Sequence, residues 1–557
     1  MSDVVKITVL GGLDEEGKNL NVVEINNDIF VVQCGVMIPD KTMPGVDYVI
    51  PRYDYLVENK ERVKAYLLLH GHDDEVGALA YIYKHVPAPI YGTKATLAML
   101  GIFTKHVKLD PHMYNLNPVE PSGTIEIAGR KIHFFHTAHN VVDSNGIAIE
   151  TDLGNIVFTG DFVVENAAKP SYLHDLATIG RIAEKPTLAM LSDSTYAERP
   201  GYTAPLYKLT PKIEDDFKSA DGRIFVAVKS TNLYNIEEII DLTIKYRKKI
   251  MWYDQTTSTT IDSIQAAGHL KIPKENYALI DDVVRLKDQD IVILVSGYGS
   301  SLYRKIALLA SGNNDDKRIK IKESDLFIIA APSSDFTEIE YTDAADELYR
   351  SGCHVVNISK KEFLRMHASE EDLKMMAATL KPKFYIPLKG YFKELLANAQ
   401  LALSMGLNLS HNNVFVIENG NTVILDSNGG RIDSNKVVHG DLMIDGGGNN
   451  GISASVIEER KELEDGIVLM AITISKKEHK IVAGPDVQIR GFLYTREADM
   501  VIRESIKNFR TTVEQFLANS GPYNLNEIKQ NVSAAASKII RRLVGKEPQI
   551  LVIIDEI

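Results

Sequence analysis

Cysteine is almost missing from this sequence: Cys34 and Cys353 are the only two among 557 residues. Two thiols cannot make a disulfide framework, and they fall short of the ligands a thiolate zinc finger needs. No apolar run approaches the roughly 20 residues that span a bilayer, so a membrane-spanning helix is not expected. The opening MSDVVKITVLGG lacks the basic stretch and small-residue cleavage site of a secretory leader, and with the scarce cysteine it fits a reducing cytoplasm. Positive charge is short as well. Lys and Arg number 62 against 75 Asp and Glu, a formal net charge of -13. Bulk attraction to nucleic acid is thereby weakened, and a nucleic-acid substrate would have to enter a local basic channel. Internal repeats and low-complexity tracts are not found either.

What is present reads as several globular domains. A content of 45% hydrophobic and 25% charged residues is ordinary for a folded protein. The length passes the roughly 250–300 residues at which one core stops growing, so two or three domains are expected. In the first 200 residues, "KITVLGG", "DIFVVQCG", "VKAYLLLH", "GIAIET", "NIVFTGD" and "LAMLSDS" read as short buried strands stopped by glycine or a polar residue. His70, Asp161 and Asp193 stand at such ends, where loops carry function. From about 206 to 360 strands alternate with helices ("RIFVAVKSTN" then "NIEEIIDLTIKYRKK", "DIVILVSGYGSS" then "LYRKIALLASG"), a βαβ pattern that predicts a parallel sheet. "IDGGGNNGIS" (444–453) has the glycine content of a linker. The last hundred residues combine strands with one long amphipathic helix around "ADMVIRESIKNFRTTVEQFL", a small separate α/β domain.

The strongest chemical signal is "LLLHGHDDEVGALAY", residues 67–81. His70 and His72, two apart on an extended segment, share a face and can reach one ion, with Asp74 two further on. Imidazole nitrogen and carboxylate oxygen are zinc ligands, and a catalytic site keeps one position open for water. "FFHTAHNVVDS" adds His136 and His139, and "VFTGDF" adds Asp161. A lone strand-end aspartate is usually a turn or cap residue, and a lone histidine in an apolar strand a satisfied core group. The HxHxD triplet differs, because burying so many polar groups without a ligand costs free energy.

These segments, with "LSDST", occur in the order and spacing of the metallo-β-lactamase fold. The α/β stretch, "FLRMHASEEDLKMM" and "YIPLKGY" resemble its β-CASP branch of nucleases. Over essentially the whole length the chain resembles the ribonuclease J family, and most of all the degenerate second paralogue of bacteria that carry two. The resemblance implies an αββα metallo-β-lactamase sandwich with an inserted β-CASP α/β domain and a small C-terminal α/β domain. The boundaries expected are 1–205 and 363–443 for the two parts of the metallo-β-lactamase domain, 206–362 for the β-CASP domain, 444–456 for a linker and 457–557 for a C-terminal assembly domain. It also implies RNA processing and decay (mRNA turnover, rRNA maturation) by 5′→3′ exonuclease action, with endonuclease cleavage as a second mode. The implied substrate is single-stranded RNA with a 5′ monophosphate. The implied assembly is a homodimer or larger, or a heteromer with a catalytic paralogue.

The departures from the family pattern carry more information than the matches. The family's HxHxDH ends here in Glu75, and its "P-V-H-G" reads Pro387, Leu388, Lys389, Gly390. The resemblance makes His70, His72, His139 and the bridging Asp161 ligands of one metal and Asp74 a ligand of a second, whose two histidines are lost. Glu75 and Lys389, now of opposite charge, are expected to pair where the second ion would sit, with the ammonium near Asp161. A lysine offsets charge but does not lower the pKa of a water as a metal does. Weak activity follows, with one zinc ion or none firmly held and Mn2+ or Mg2+ able to substitute. Asp74 and Asp161 would place the water. Asp193 resembles a carboxylate that orients a ligand histidine.

For RNA, the family's "HVSGH" stretch lies against substrate phosphates; here it is Phe363, Leu364, Arg365, Met366 and His367. Ser369 reads as an N-cap, so the helix start beyond His367 can attract an anion. Ser300, in a Gly-rich strand-to-helix turn, is a further phosphate candidate. "GLDEEGKN" (12–19) nearly matches a P-loop, but Asn19 replaces the hydroxyl and Asp14, Glu15 and Glu16 repel phosphate, so nucleotide binding is rejected. A rival reading makes the chain a non-catalytic subunit that stabilises an active partner. A small-molecule hydrolase acting on thioesters or lactones would leave the two added domains without a role.

Overall fold

The computed structural model describes residues 2–39, 42–107, 111–165, 169–334, 337–445, 451–452, 454–463, 466–491, 495–518 and 523–557. They form two units, one of residues 1–38 and 47–449 and one of 39–46 and 450–557. Among the described residues no helix is long and apolar enough to cross a membrane.

Two sheets packed face to face make the heart of the larger unit. One has eight strands, with Val5–Gly11, Leu20–Ile25, Asp28–Val32 and Val63–Leu67 at its centre. The other has six, ordered Phe384–Leu388, Thr187–Asp193, Gly154–Phe158, Asn145–Thr151, Arg130–His136 and Thr124–Ile127. Ile7, Val23, Phe30 and Leu67 of the first sheet meet Phe134, Ile149, Ile156 and Leu191 of the second in one dry core. The opposite faces are also covered. Val22, Val31 and Tyr66 pack under the helices Leu79–Tyr83 and Lys94–Phe103, while Ala148, Val157 and Met190 pack under Leu176–Ile182 and Glu370–Leu380. Strands buried on both sides read as continuous apolar runs instead of alternating ones, which is how they appear in the sequence.

The inserted segment forms a five-stranded parallel sheet in the order Lys249–Trp252, Ile291–Gly297, Ile224–Lys229, Leu326–Ile329, His354–Asn357. Helices cover both faces, burying Ile239, Ile240 and Ile261 on one and Leu302, Ile306 and Leu348 on the other. Its first strand, Ile224–Lys229, lies in the middle, so the winding changes side there. Open α/β sheets hold ligands at the carboxyl ends of strands at such a point, and Lys229 and Tyr298 stand at those ends. The strand Asp441–Ile444 pairs with Tyr48–Pro51, so the stretch expected to be a linker begins as sheet. Its residues 446–450 and 453 lie outside the described residues.

In the smaller unit Ile467–Ser475 runs between Lys480–Arg490, antiparallel, and Gln549–Glu556, parallel. Val468, Met470, Ile472 and Ile474 point inward by strand alternation and meet Phe509, Val513, Val532 and Ile540. Two long helices supply those partners, Thr495–Ala518 and Leu525–Val544, where one was expected. The second escapes a search for strong apolar periodicity because its buried stripe, Ile528, Val532, Ala536 and Ile540, is broken up by the small residues of "VSAAAS".

Candidate metal centre

The central strand Val63–Leu67 carries two further buried leucines straight into His70. The strand ends at Leu67 and the chain bends at His70 and Gly71; His72 is extended (φ -88°, ψ 157°), and Asp73–Val76 then turns into a short helix. That turn brings Asp74 and Glu75 round toward His70, which a continuous strand would not do. Gly35 makes the turn possible: a Cβ there would lie 1.6 Å from the carbonyl oxygen of Asp74. Asp161 follows the strand Gly154–Phe158 through Gly160, whose φ of +61° suits glycine and whose absent Cβ would sit 2.5 Å from the Asn145 carbonyl oxygen. His139 sits beyond Arg130–His136, and its Nδ1–H donates to the Met366 carbonyl at 2.6 Å. That bond leaves Nε2 with its lone pair facing the cluster.

Four ligand atoms converge. His72 Nδ1 lies 3.0 Å from His70 Nε2 and 3.3 Å from His139 Nε2. Asp161 Oδ2 lies 3.6 Å from His70 Nε2 and 3.5 Å from His139 Nε2. Zinc ligands at about 2.0–2.2 Å in a tetrahedral arrangement stand about 3.3–3.6 Å apart; three of the four spacings fall there, and the His70–His72 contact at 3.0 Å is the short one. Burial pushes the His72 imidazole down to about 3 and holds those of His70 and His139 well below the usual histidine range, with the field of the neighbouring imidazoles adding to the effect. Three neutral imidazoles and a carboxylate are the donor chemistry a zinc ion takes. His136 lies outside this group.

The adjoining position is built differently. The strand Phe384–Leu388 delivers Lys389, whose φ of +58° is uncommon for a side-chain-bearing residue. Its Nζ lies 2.7 Å from Asp161 Oδ2, 2.8 Å from Asp74 Oδ2 and 3.2 Å from Glu75 Oε1. Burial would lower the lysine pKa, but the surrounding Asp161, Asp74, Glu75 and Asp193 outweigh it and hold the group well above its ordinary value. Burial alone would raise Asp74; Lys389 beside it brings the carboxyl down to about 2. Asn19 adds hydrogen bonds to Asp74 Oδ2 at 3.3 Å and to Glu75 Oε1 at 3.2 Å. Sequence reasoning gave Asn19 no role beyond spoiling a P-loop.

Asp193 does not touch the three clustered imidazoles through any of its own hydrogen bonds. It accepts from His367 Nδ1–H at 2.8 Å, while Thr195 donates to its other oxygen from both the backbone at 3.0 Å and the hydroxyl at 2.6 Å. His367 Nδ1 is also 3.8 Å from Asp161 Oδ2. His367 therefore belongs to the centre itself. The rest of its stretch divides sharply: Phe363, Leu364 and Met366 are buried in the core, and only Arg365 and His367 line the cleft. The helix start after His367 has no N–H left for an anion, because Ser369, Glu370 and Glu371 already donate to Asp372, Arg199 and Gly201. Ser300 opens the helix Ser300–Ala310, and nearby Tyr298 reaches the cleft. Across that cleft Arg365 donates to Glu16 at 2.6 Å, and its guanidinium lies 5.9 Å from the Tyr196 ring centroid. Lys229, pushed down to about 8 chiefly by burial and then by Arg365, lines the same wall. Lys18, the P-loop look-alike lysine, is bound instead to Glu15 at 2.7 Å and Asp441 at 2.6 Å.

Residues 221–335 match the family described as the ribonuclease J beta-CASP domain, and residues 455–557 match the ribonuclease J C-terminal domain. Ribonuclease J2 of Bacillus subtilis is 33% identical over 559 residues, 99% of each chain. The chain belongs to the ribonuclease J family. Ribonuclease J 2 of Staphylococcus epidermidis is 31% identical over 556 residues, covering 99% of this chain and 98% of its own. A solved protein of unknown function from Enterococcus faecalis matches with a TM-score of 0.50 at 14% identity, covering 76% of this chain and all of its own, which shows the fold alone. This ribonuclease J chain thus has the metallo-β-lactamase sandwich with an inserted β-CASP domain and a C-terminal α/β domain. Membership supports an RNA-processing, metal-dependent nuclease.

Proposed function

We propose that this ribonuclease J hydrolyses single-stranded RNA weakly at a one-ion centre, taking 5′-monophosphorylated ends in the 5′→3′ direction and cutting internally as a second mode. The observation that carries this is the convergence of His70, His72, His139 and Asp161 at ligand spacing. Those four would hold a zinc ion, with Mn2+ or Mg2+ able to substitute, and when bound the ion polarises water and offsets charge on the phosphoryl oxygens. The chain's own residues supply the rest. Asp74, kept ionised by Lys389, would orient the attacking water together with Asp161, and the Asp74 carboxylate would accept its proton. His367, held by Asp193, lines the cleft and donates a proton to the leaving oxygen. Asp193 acts through His367, as a positioning carboxylate. Lys389 faces the same charge but cannot activate water, which supports slow turnover. Arg365, Lys229 and Tyr298 face the RNA backbone, with Ser300 nearby. The boundaries 1–205, 206–362, 363–443, 444–456 and 457–557 fit this division of labour. Messenger RNA turnover and ribosomal RNA maturation in the cytoplasm are the setting, and the C-terminal domain joins copies of the chain or a catalytic paralogue.

The lysine at the second position also favours another reading, a largely non-catalytic subunit that stabilises such a paralogue. One experiment separates the two. Digestion of 5′-monophosphorylated RNA, with Zn2+, Mn2+ or Mg2+, is compared between the wild type and Asp161→Ala. Mononucleotides that vanish with the substitution support the enzyme. If neither protein cuts, or both cut alike, the enzyme reading falls and the subunit reading stands.

A further inference from the structure

We propose that the ε-ammonium of Lys389 is a built-in cation standing in for a second metal ion, so that the centre takes up one divalent ion per chain and no more. The inference rests on the reading of the histidine pocket as a metal centre and adds what governs its neighbour.

An ammonium has three N–H donors and no acceptor. Nζ of Lys389 meets three carboxylate oxygens, one each from Asp161, Asp74 and Glu75, at 2.7, 2.8 and 3.2 Å. It donates to Asp161 and Glu75 and stands in ion-pair contact with Asp74, so carboxyl oxygens surround it. A hard divalent cation in this position would need the same three oxygens at about 2.0–2.5 Å, so ammonium and ion exclude one another. Asp161 Oδ2 is the hinge of the arrangement. The same atom faces His70 and His139 at 3.6 and 3.5 Å and Nζ at 2.7 Å, as a carboxylate does when it bridges two cations.

Glu75 makes the substitution reciprocal. Its side chain is fully buried, and a carboxylate buried there without a cation would stand uncompensated. The left-handed backbone at Lys389 is a local cost, and such costs persist where the surroundings need the side chain in place.

The test counts ions. The protein is stripped of metal, reloaded with Zn2+ and Mn2+, and weighed by native mass spectrometry, with circular dichroism checking the fold. The wild type is expected to hold one ion and Glu75→His/Lys389→His two. Lys389→Ala, which empties an all-oxygen cage, is expected to gain a Mn2+ visible by electron paramagnetic resonance. Anomalous scattering from Mn2+-soaked wild-type crystals gives a check that needs no variant: one peak, among the histidines. Two ions in the wild type would overturn the inference while leaving the metal centre intact, as would folded variants that bind no more than the wild type. A wild type that binds none overturns the metal-centre reading and this inference with it.

Discussion

Glu16 occupies the Arg365 guanidinium that the proposed function sets against RNA, so removing its charge should tighten RNA binding. Glu16 Oε1 accepts from Arg365 Nη1 at 2.6 Å, and Arg365 is the side chain of its stretch that faces the cleft alongside His367. A phosphate docking on Arg365 has to displace a carboxylate already there and to approach its negative charge. The side chains keep 46% and 53% of their surface exposed, so the pair is a solvent-screened one. Exposed ion pairs contribute about 0.2–1 kcal/mol, and 1 kcal/mol is about five-fold in an equilibrium constant. Glu16→Gln is therefore expected to lower the Kd for a 5′-monophosphorylated oligonucleotide by up to about five-fold at low salt, with the gain shrinking as salt rises. The assay is fluorescence anisotropy of a 3′-labelled RNA in EDTA, where no cleavage competes. Arg365→Gln should weaken binding, and adding Glu16→Gln to it should then change little, because the ion pair is already gone. An unchanged or weaker Glu16→Gln complex would refute the competition, and so would an equal gain in the Arg365→Gln background.

Three further outcomes are expected. Lys229 is charged below about 8 and neutral above it, so RNA affinity should fall as pH rises from 7 to 9, and Lys229→Met should flatten that dependence in the same anisotropy assay. Arg130 holds the Asp3 carboxyl down at about 2, below its unfolded value, so the stability it supplies is full above about pH 5 and is lost as pH falls through 2. Asp3→Asn should cost about 2 kcal/mol in urea unfolding at pH 7 and only a small part of that at pH 2. His367→Asn should lower RNA turnover by roughly 10²-fold or more, the range for loss of a general acid, without changing metal content by mass spectrometry; an undiminished rate would remove His367 from the chemistry.

The sequence exposed the parts of the centre that lie close together along the chain. His70, His72 and Asp74 announce themselves through spacing, and the parallel sheet of the insertion through its strand–helix rhythm. The charge match of Glu75 and Lys389 was legible only because the resemblance set them at one position, since 314 residues separate them. The Asp193–His367 bond spans 174 residues and joins segments that carry no shared pattern, so His367 was expected beside phosphates and not at the centre. Nor could spacing show that Phe363, Leu364 and Met366 turn into the core: a loop has no fixed period to sort inward from outward residues. Asn19 was hidden for another reason, as its role depends on a backbone approach between the glycine loop and the turn after His72, where Asn19 N–H donates to the Asp74 carbonyl at 3.1 Å.

The contact between Glu75 and Lys389 also constrains how the chain can change. Glu75→His alone would set an imidazole against an ammonium that still owns the cage. Lys389→His alone would remove the tethered ammonium, and the buried Glu75 and Asp161 carboxylates would then need a divalent ion as their counter-charge. Each single step back toward two histidines breaks the present ion pair, so the two positions depend on one another. Change that trades one residue at a time has to pass through a centre whose counter-charge is a free ion in place of a tethered one.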